Sequence, residues 1–483
     1  MSAPNNLPQA PVRVLSTLNL DGSRRWIRPK PEHGAWWLRR RAVAGALMLV
    51  FFLVPYLRLG GKPLVLLDLP RREFTLFGYT FLSTDMLLFA LLLVGTVIGI
   101  FLVSALLGRA WCGWACPQTV YLEFLFRPVE RRLEGGYRGS QLLDARRGLP
   151  LRRALKYLIF LLLSMFLAHT FLAYFVGVAE LARWVTRSPV EHPTTFFIML
   201  GTTALILFDF AYFREQTCLV ACPYGRLQSV LLDPQSVIVG YEARRGEPRA
   251  RGLKGRPEGA GDCIDCGRCT VTCPTGIDIR DGLQMECIHC TQCADACDAV
   301  MLKIGKPPGL IRYTSGAAVE GRPVRRLRPR VVMYVAALAA TLGPFGWLVT
   351  HRTDTEVTLL RPAGAPYTRE PDGSVVNPLL IKVTNRGGGE RRYRVELEGL
   401  AGGRLIAPLN PLPVAAGRSE TAPIFVVLPG RAEESVLPVT FRVSDGARFR
   451  GEFPYRLVAP EREAREREAP GRGAPGRGAG GRP

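Results

Sequence analysis

No cysteine follows Cys297 in this chain of 483 residues; all 12 lie between positions 112 and 297. That excludes a disulfide-stapled C-terminal domain. It also assigns the clustered thiols to a reducing compartment, since an oxidising one converts them to disulfides. Histidine is scarce, with only His33, His169, His192, His289 and His351. A haem b between membrane helices needs paired histidines inside the spans, and only His169 falls within one, so haem is disfavoured. No Gly-rich dinucleotide fingerprint follows a strand, which leaves a nicotinamide or flavin Rossmann site unsupported. No small-x-small cleavage site follows a short apolar run, so residues 1–41 read as a retained segment leading into a membrane anchor, marked by Trp36-Trp37 and Arg39-Arg40-Arg41. Helix-turn-helix, RNA-binding and zinc-finger patterns are also missing. The net charge of +22 is explained by arginines flanking apolar runs and crowding a Gly/Pro/Arg tail, and no nucleic-acid partner is expected.

What the chain does have is one dense thiol stretch. Cys263-x2-Cys266-x2-Cys269-x3-Cys273-Pro274 is followed by Cys287-x2-Cys290-x2-Cys293-x3-Cys297. This is the bacterial ferredoxin spacing written twice: three near thiolates wrap a cubane and the fourth of each run reaches the other cluster. The spacing therefore assigns Cys263, Cys266, Cys269 and Cys297 to one 4Fe-4S cluster and Cys287, Cys290, Cys293 and Cys273 to a second. A zinc site would want two ligand pairs instead. Asp298 stands where proline usually follows the last cysteine; no ligand is lost. His289, between two of these cysteines, reads as an exposed or outlying residue and not as a ligand.

A mean hydropathy of +0.11 with 22% charged residues indicates membrane segments interleaved with polar ones. Five apolar stretches are long enough, or nearly so, to cross about 30 Å of hydrocarbon: Ala42–Leu59, Met86–Leu107, Leu158–Val178, Thr195–Tyr212 and Val331–Thr350. The loop after the second carries Arg109, Arg127, Arg131, Arg132, Arg138, Arg146, Arg147, Arg152 and Arg153, whereas the loop after the third carries Arg183 and Arg187. Positive charge marks the inner side, so residues 108–157 and 213–330 are expected in the cytoplasm and the chain after 350 outside. Lys62, Arg71 and Arg72 run against this bias. Asp209 and Arg214, near the inner end of the fourth stretch, are expected to pair with each other.

Beyond the fifth stretch the period changes to two. Ile381 and Val383, then Tyr393, Val395 and Leu397, then Phe441 and Val443 alternate with polar residues between Gly, Pro and Asn turns, the pattern of an antiparallel sandwich over about 355–460. From Glu461 the repeated Ala-Pro-Gly-Arg-Gly cannot bury enough to order, so 461–483 is expected to be a disordered tail. The expected organisation is a multi-domain integral membrane protein. Segment 1–41 precedes a four-helix membrane part (42–230); a cytoplasmic region (231–330) holds a 2x(4Fe-4S) ferredoxin-like domain at about 255–305; a fifth membrane helix (331–350) completes a five-helix transmembrane bundle; and an all-β immunoglobulin-like sandwich ends the folded chain.

Two further motifs stand outside the ferredoxin stretch: Trp111-Cys112-x3-Cys116-Pro117 and Thr217-Cys218-x3-Cys222-Pro223. Each begins just past the cytoplasmic end of a span, as in a duplicated hairpin-plus-motif unit. On a helix the i,i+4 spacing puts both sulfurs on one face, and the proline suits the first turn of a new helix. Four converging thiols select Cu(I) among common ions, or cycle through a disulfide, or hold a third cubane; buried structural cysteine is the plain alternative.

The sequence resembles the CcoG family of cytochrome c oxidase accessory proteins, also called FixG or RdxA, from about residue 30 to 460. The stretches that carry the resemblance are Gly108-Arg-Ala-Trp-Cys-Gly-Trp-Ala-Cys-Pro-Gln-Thr-Val120, Phe213-Arg-Glu-Gln-Thr-Cys-Leu-Val-Ala-Cys-Pro-Tyr-Gly-Arg-Leu-Gln-Ser-Val230, Arg245-Gly-Glu-Pro-Arg249 and Cys273-Pro-Thr-Gly-Ile-Asp-Ile-Arg-Asp-Gly-Leu-Gln284. Asp298 looks like a feature the family shares. The resemblance implies a bacterial inner-membrane protein that reduces Cu(II) to Cu(I) on the cytoplasmic side for assembly of cbb3-type oxidases, with copper as substrate or bound ion at Cys112, Cys116, Cys218 and Cys222. It also implies partners among oxidase assembly factors and a copper transporter or chaperone, with the cytoplasmic electron donor unidentified. Two other readings stand beside it: a polyferredoxin subunit exchanging electrons with quinone or a partner oxidoreductase, and a non-catalytic assembly scaffold.

Overall fold

Apolar runs of twenty or so residues have nowhere to satisfy their backbone in lipid except in helices, and these dominate the first of two compact units, which ends at Thr350. The structure, a computed structural model, describes residues 16–459 apart from 20, 70–72, 82–84, 146–149, 253–255, 326, 388 and 430–435. The tail expected to be disordered lies outside the described residues.

In chain order the first unit comprises helix α1 (Ala35–Leu53), a small meander β1 (Val65–Asp68), β2 (Glu73–Leu76) and β3 (Tyr79–Phe81), then α2 (Met86–Leu107), α3 (Ala110–Trp114), α4 (Pro117–Tyr121) and α5 (Arg127–Glu134). There follow α6 (Leu151–Val176), α7 (Pro193–Phe208), α8 (Pro223–Leu231), strand β4 (Val237–Tyr241), α9 (Arg268–Val271), α10 (Gln292–Lys303), strand β5 (Ile311–Ser315) and α11 (Pro329–Thr350), with shorter helices, among them Gly136–Ala145 and Val178–Val185, and turns between them. Among the described residues four helices are long and apolar enough to cross a membrane: α2, α6, α7 with its extension to Phe213, and α11. At 1.5 Å per residue each reaches about 30 Å or more. Phe101 of α2 meets Tyr334 of α11, and Gly95 of α2 lies against Leu342.

The expected first crossing, Ala42–Leu59, is not among those four. The helix begins earlier, at Ala35, so Trp36, Trp37 and the three arginines lie inside it, and it gives way at Pro55 to a tight turn, Val54–Tyr56. Its uncharged part, 42–53, amounts to only about 18 Å. Trp36 is not a lipid-facing anchor either. It packs edge-on against Trp114 and Tyr313, and the carboxylate of Asp295 accepts the backbone N–H groups of Trp36 at 3.1 Å and Trp37 at 2.7 Å. At its other end Phe51 stacks on Tyr174, late in α6.

The two cysteine runs fold between β4 and β5, which pair antiparallel from Val237–Ser315 to Tyr241–Ile311. Cys269 lies in α9, and Cys293 and Cys297 in α10. The buried side chains of this core are Val239, Tyr241, Ile277, Ile279, Ala294, Val300, Met301, Leu310 and Ile311 together with Cys263, Cys269, Cys273 and Cys287.

The second unit starts at His351 and is a sandwich. Its strands are β6 (Thr355–Leu360), β7 (Thr368–Arg369), β8 (Val375–Asn385), β9 (Arg391–Glu398), β10 (Arg404–Ile406), β11 (Leu412–Val414), β12 (Arg418–Leu428), β13 (Val436–Ser444) and β14 (Arg450–Val458). One sheet has the order β10-β12-β8-β6, with β7 also on β8, and the other β11-β9-β13-β14. Alternate residues of β8 (Val375, Leu379, Ile381, Val383) meet Tyr393, Val395, Phe441, Val443 and Leu457 in the core, as the period-two pattern requires. Where some sandwiches have a disulfide, this one has Asn377. Its amide donates to Val458 O and accepts from Val458 N, both at 3.0 Å, tying one sheet to the other.

Candidate functional site

The ferredoxin stretch encloses two cavities. One is bordered by Cys263, Cys266, Cys269 and Cys297 with Ile264, Val300, Met301 and Leu310; the other by Cys273, Cys287, Cys290 and Cys293 with Val239, Ile277, Ile279 and Ile288, and Cys269 borders both. These are the two sets of four that the spacing pairs, brought together because each fourth cysteine crosses to the other run. The donor chemistry fits cubanes: four thiols in mainly apolar walls, with Arg268 and Arg280 at the first cavity, Thr275 and Thr291 at the second, and no carboxylate or histidine lining either. None of the cysteines is in a disulfide. Among the described residues no three His, Cys, Asp or Glu side chains are grouped to hold a single metal ion. Burial pushes Cys269 up to about 11 and Cys287 and Cys297 up to about 12, so a cationic cluster core is what makes them thiolates.

The two loops face differently. Cys266 is exposed, whereas Cys290 is buried. His289, expected to be outlying or exposed, is fully buried and accepts the backbone N–H of Arg109 at its Nδ1, 3.0 Å away. The burial is invisible in sequence because the covering surface comes from the membrane motif.

That motif and its second copy bring Cys112, Cys116, Cys218 and Cys222 into one another's electrostatic field. Burial pushes the Cys112 thiol up to about 11, with Arg109 opposing and Cys116 and Cys222 adding to the rise. Cys218 is raised by burial first and then by Cys116, Cys112 and Cys222. Cys116 is also raised by burial, against the backbone N–H groups of Gln118 and Thr119 at the start of α4. The two cysteines of a pair do not share one helix; a new helix begins at each proline, as the proline's position suggests. Cys112 lies in α3 and Cys218 in a π-turn, Thr217–Ala221, while Cys116 and Cys222 are extended residues capping α4 and α8. Pro117 and Pro223 occupy the first helical positions, where a missing N–H costs nothing. Cys112 Sγ donates to Gln228 Oε1 at 3.0 Å, and Gln228 in turn donates to Tyr224 Oη at 2.6 Å. Gln228, Tyr224 and Arg109 all lie within the motif stretches, but nothing in their spacing marks them as partners of the thiols.

The expected Asp209–Arg214 pair is not formed. Asp209 accepts from Gln118 at 3.2 Å and from the Thr217 hydroxyl. Arg214 reaches across to Glu130, with bonds of 3.0 and 2.9 Å to its two oxygens. Around them Arg127, Glu215, Lys156 and Glu134 form a buried network at the membrane face. Buried charges must be paired, and each of these has a partner of opposite sign.

A helical membrane part, two rings of four thiols and a further thiol set beside the helix ends define a membrane iron-sulfur electron-transport protein. Comparison with known proteins agrees. Residues 213–316 match the family described as a 4Fe-4S dicluster domain, 88–135 a 4Fe-4S binding domain, and 345–460 the IG-like fold at the C-terminus of FixG. Protein RdxA of Cereibacter sphaeroides is 35% identical over 402 residues, 78% of this chain and 83% of that protein. The nitrogen fixation protein FixG of Rhizobium meliloti is 34% identical over 427 residues (78% and 80%), and RdxB of Cereibacter sphaeroides 33% over 444 (85% and 90%). The chain belongs to the FixG/RdxA family.

Proposed function

We propose that this protein is a cupric reductase of the bacterial inner membrane, supplying Cu(I) for assembly of cbb3-type cytochrome oxidase. Cys263, Cys266, Cys269 and Cys297 would hold one 4Fe-4S cluster and Cys273, Cys287, Cys290 and Cys293 the other; when bound, these supply one-electron storage and transfer. A one-electron store suits the substrate couple, since Cu(II) takes one electron to become Cu(I). Soft thiolates of Cys112, Cys116, Cys218 and Cys222 would retain the reduced ion. The observation that carries this reading is that Cys112 of the first membrane motif packs against Cys290 of the second cysteine ring, with Cys116, Cys218 and Cys222 in one another's electrostatic field. We further propose that the iron-sulfur unit faces the cytoplasm and the sandwich the periplasm.

The test replaces Cys112 and Cys116 by serine. The expected result is protein with both clusters and no Cu(II) reduction; undiminished reduction would discard the role. A second reading, a third cubane on the same four thiols, is favoured by the match of 88–135 to a 4Fe-4S binding domain. Iron analysis separates the two, about eight irons per chain against about twelve. The quinone alternative has an apolar cavity of about 1100 Å³, but this is lined by Phe171, Phe175, Thr194 and Ile198. Thr194 and Ile198 are at the start of α7, a helix length of over about 20 Å from Cys218, and Phe171 and Phe175 are late in α6. The scaffold reading predicts that cluster-ligand variants still mature the oxidase.

A further inference from the structure

We propose that Gly113 is a positioning residue. Its missing side chain lets the loop Cys287–Cys290 seat its backbone on the first membrane motif, and this junction is where the electron leaves the iron-sulfur unit for the membrane thiols. The inference rests on the reading above and adds which of the two cysteine rings delivers, and through what contact.

Gly113 is buried inside α3, with no left-handed backbone to require glycine. In a helix glycine is about 1 kcal/mol worse than alanine, so something other than conformation explains it. A Cβ there would stand 2.4 Å from Ile288 O and 3.0 Å from both Cα and N of Cys290. Cys112, Ile288 and Cys290 accordingly form one buried apolar cluster, with Tyr224 packed against it. Hydrogen bonds lock the contact on every side. Arg109 N–H donates to His289 Nδ1 at 3.0 Å, Trp114 Nε1 to Tyr313 Oη at 2.7 Å, Tyr313 Oη to His289 O at 2.7 Å, and Arg40 Nε to Gly113 O at 2.9 Å.

The equivalent loop of the other ring makes no such junction. Cys263-Ile264-Asp265-Cys266-Gly267 repeats Cys287-Ile288-His289-Cys290-Thr291, down to left-handed backbone at Asp265 (φ 49°) and Gly267 (φ 66°), as at His289 (φ 53°) and Thr291 (φ 57°). Yet Asp265 and Cys266 face solvent, while His289 is fully buried. One loop is open to a soluble reduced one-electron carrier and its twin is sealed against Cys112. One electron enters and one leaves to Cu(II), which becomes Cu(I); no bond in the chain forms or breaks.

The experiment uses iron-loaded full-length protein carrying Gly113→Ala or Gly113→Val, with Gly45→Ala, where a Cβ meets nothing, as the control. Iron content should be unchanged. Re-oxidation of the dithionite-reduced protein by Cu(II) should slow at least about tenfold, since misplacement by an ångström is that costly. Iodoacetamide should alkylate Cys112 correspondingly faster, as read by mass spectrometry. Wild-type rates of both in Gly113→Val overturn the proposal. Should the variants lose iron, hydrogen exchange of the wild type decides: amides of 110–114 and 287–291 should be protected together, and fast exchange in either segment overturns the junction. A wild type that reduces no Cu(II) removes the copper reading alone, because alkylation and exchange judge the junction without copper.

Discussion

Gly108 and Arg214 hold the same backbone conformation, φ 59°, ψ −130° and φ 55°, ψ −122°, at the ends of α2 and α7. Each is four residues before a cysteine, eight before a second and nine before a proline. The two membrane motifs are thus copies in space as well as in sequence. Glycine adopts this conformation freely, and at 108 a Cβ would also stand 2.2 Å from Val237 O. An arginine at 214 is strained, by roughly 1–3 kcal/mol, and is held there by the two hydrogen bonds it donates to Glu130.

Arg214→Gly should relieve the strain and still destabilise, because it leaves Glu130 buried without its main partner, a change worth about 3–5 kcal/mol. Adding Glu130→Gln should recover part of the loss. Thermal unfolding of the detergent-solubilised protein checks both; a single variant as stable as the wild type would show that Glu130 is satisfied by Lys156 alone.

Acid should act on the same pair. Burial alone would raise the Glu130 carboxyl, but Arg214, Lys156 and Arg127 outweigh it and hold it down at about 2. A depressed carboxyl contributes fully above its unfolded value, about 4.3, and the contribution is lost as pH falls through the folded one. Stability of the membrane unit should therefore hold to about pH 5 and decline between about pH 4 and 2. Glu130→Gln should start lower and lack that part of the decline. Equal slopes in the two proteins would assign the acid sensitivity elsewhere.

The cysteine rings were legible in sequence because cubane geometry leaves little freedom in ligand spacing, and the sandwich because one buried face forces alternation. The partner of Arg214 was not, since Glu130 is 84 residues away and the nearer Asp209 offered the simpler pairing. The break between Cys112 and Cys116 was legible in part, from the proline that starts the next helix. An i,i+4 spacing is by itself compatible with one helix or with two that meet at a proline, and the structure has the second, with Cys116 extended before Pro117. The same holds for α1: apolar length suggests a span, but its first turn is committed to the iron-sulfur unit by contacts no local pattern encodes.

Asp295 should prove to be what fixes that first turn. Its carboxylate caps two N–H groups that α1 itself cannot satisfy, and Gly34 must be glycine because a Cβ would fall 2.3 Å from Asp295 Cγ. Asp295→Ala should cost about 1–2 kcal/mol and release the segment before α1. Limited proteolysis then cuts within 16–34 while iron is retained; unchanged protease resistance would assign the anchoring to Trp36 packing instead.

Helix α1 falls short of a membrane span by composition, yet its two ends meet opposite ends of the bundle. Arg40 bonds to Gly113 O beside the thiols, and Phe51 meets Tyr174, late in α6, where the Tyr174 hydroxyl donates to Phe51 O at 2.8 Å. Residues 16–34 are likewise on the iron-sulfur side, with the Ser16 hydroxyl donating to Thr275 O at 2.7 Å. Tyr56 and Arg58 instead border the large cavity with Thr194 and Thr195, at the start of α7. The expected outcome is a fifth crossing, with the arginines of α1 in the head-group layer and the turn at Pro55 completing it. Cysteines introduced singly at exposed positions test this with a membrane-impermeant maleimide on intact cells. Leu59→Cys and Val190→Cys should label and Ser23→Cys should not. Labelling of all three would leave four crossings and overturn the fifth.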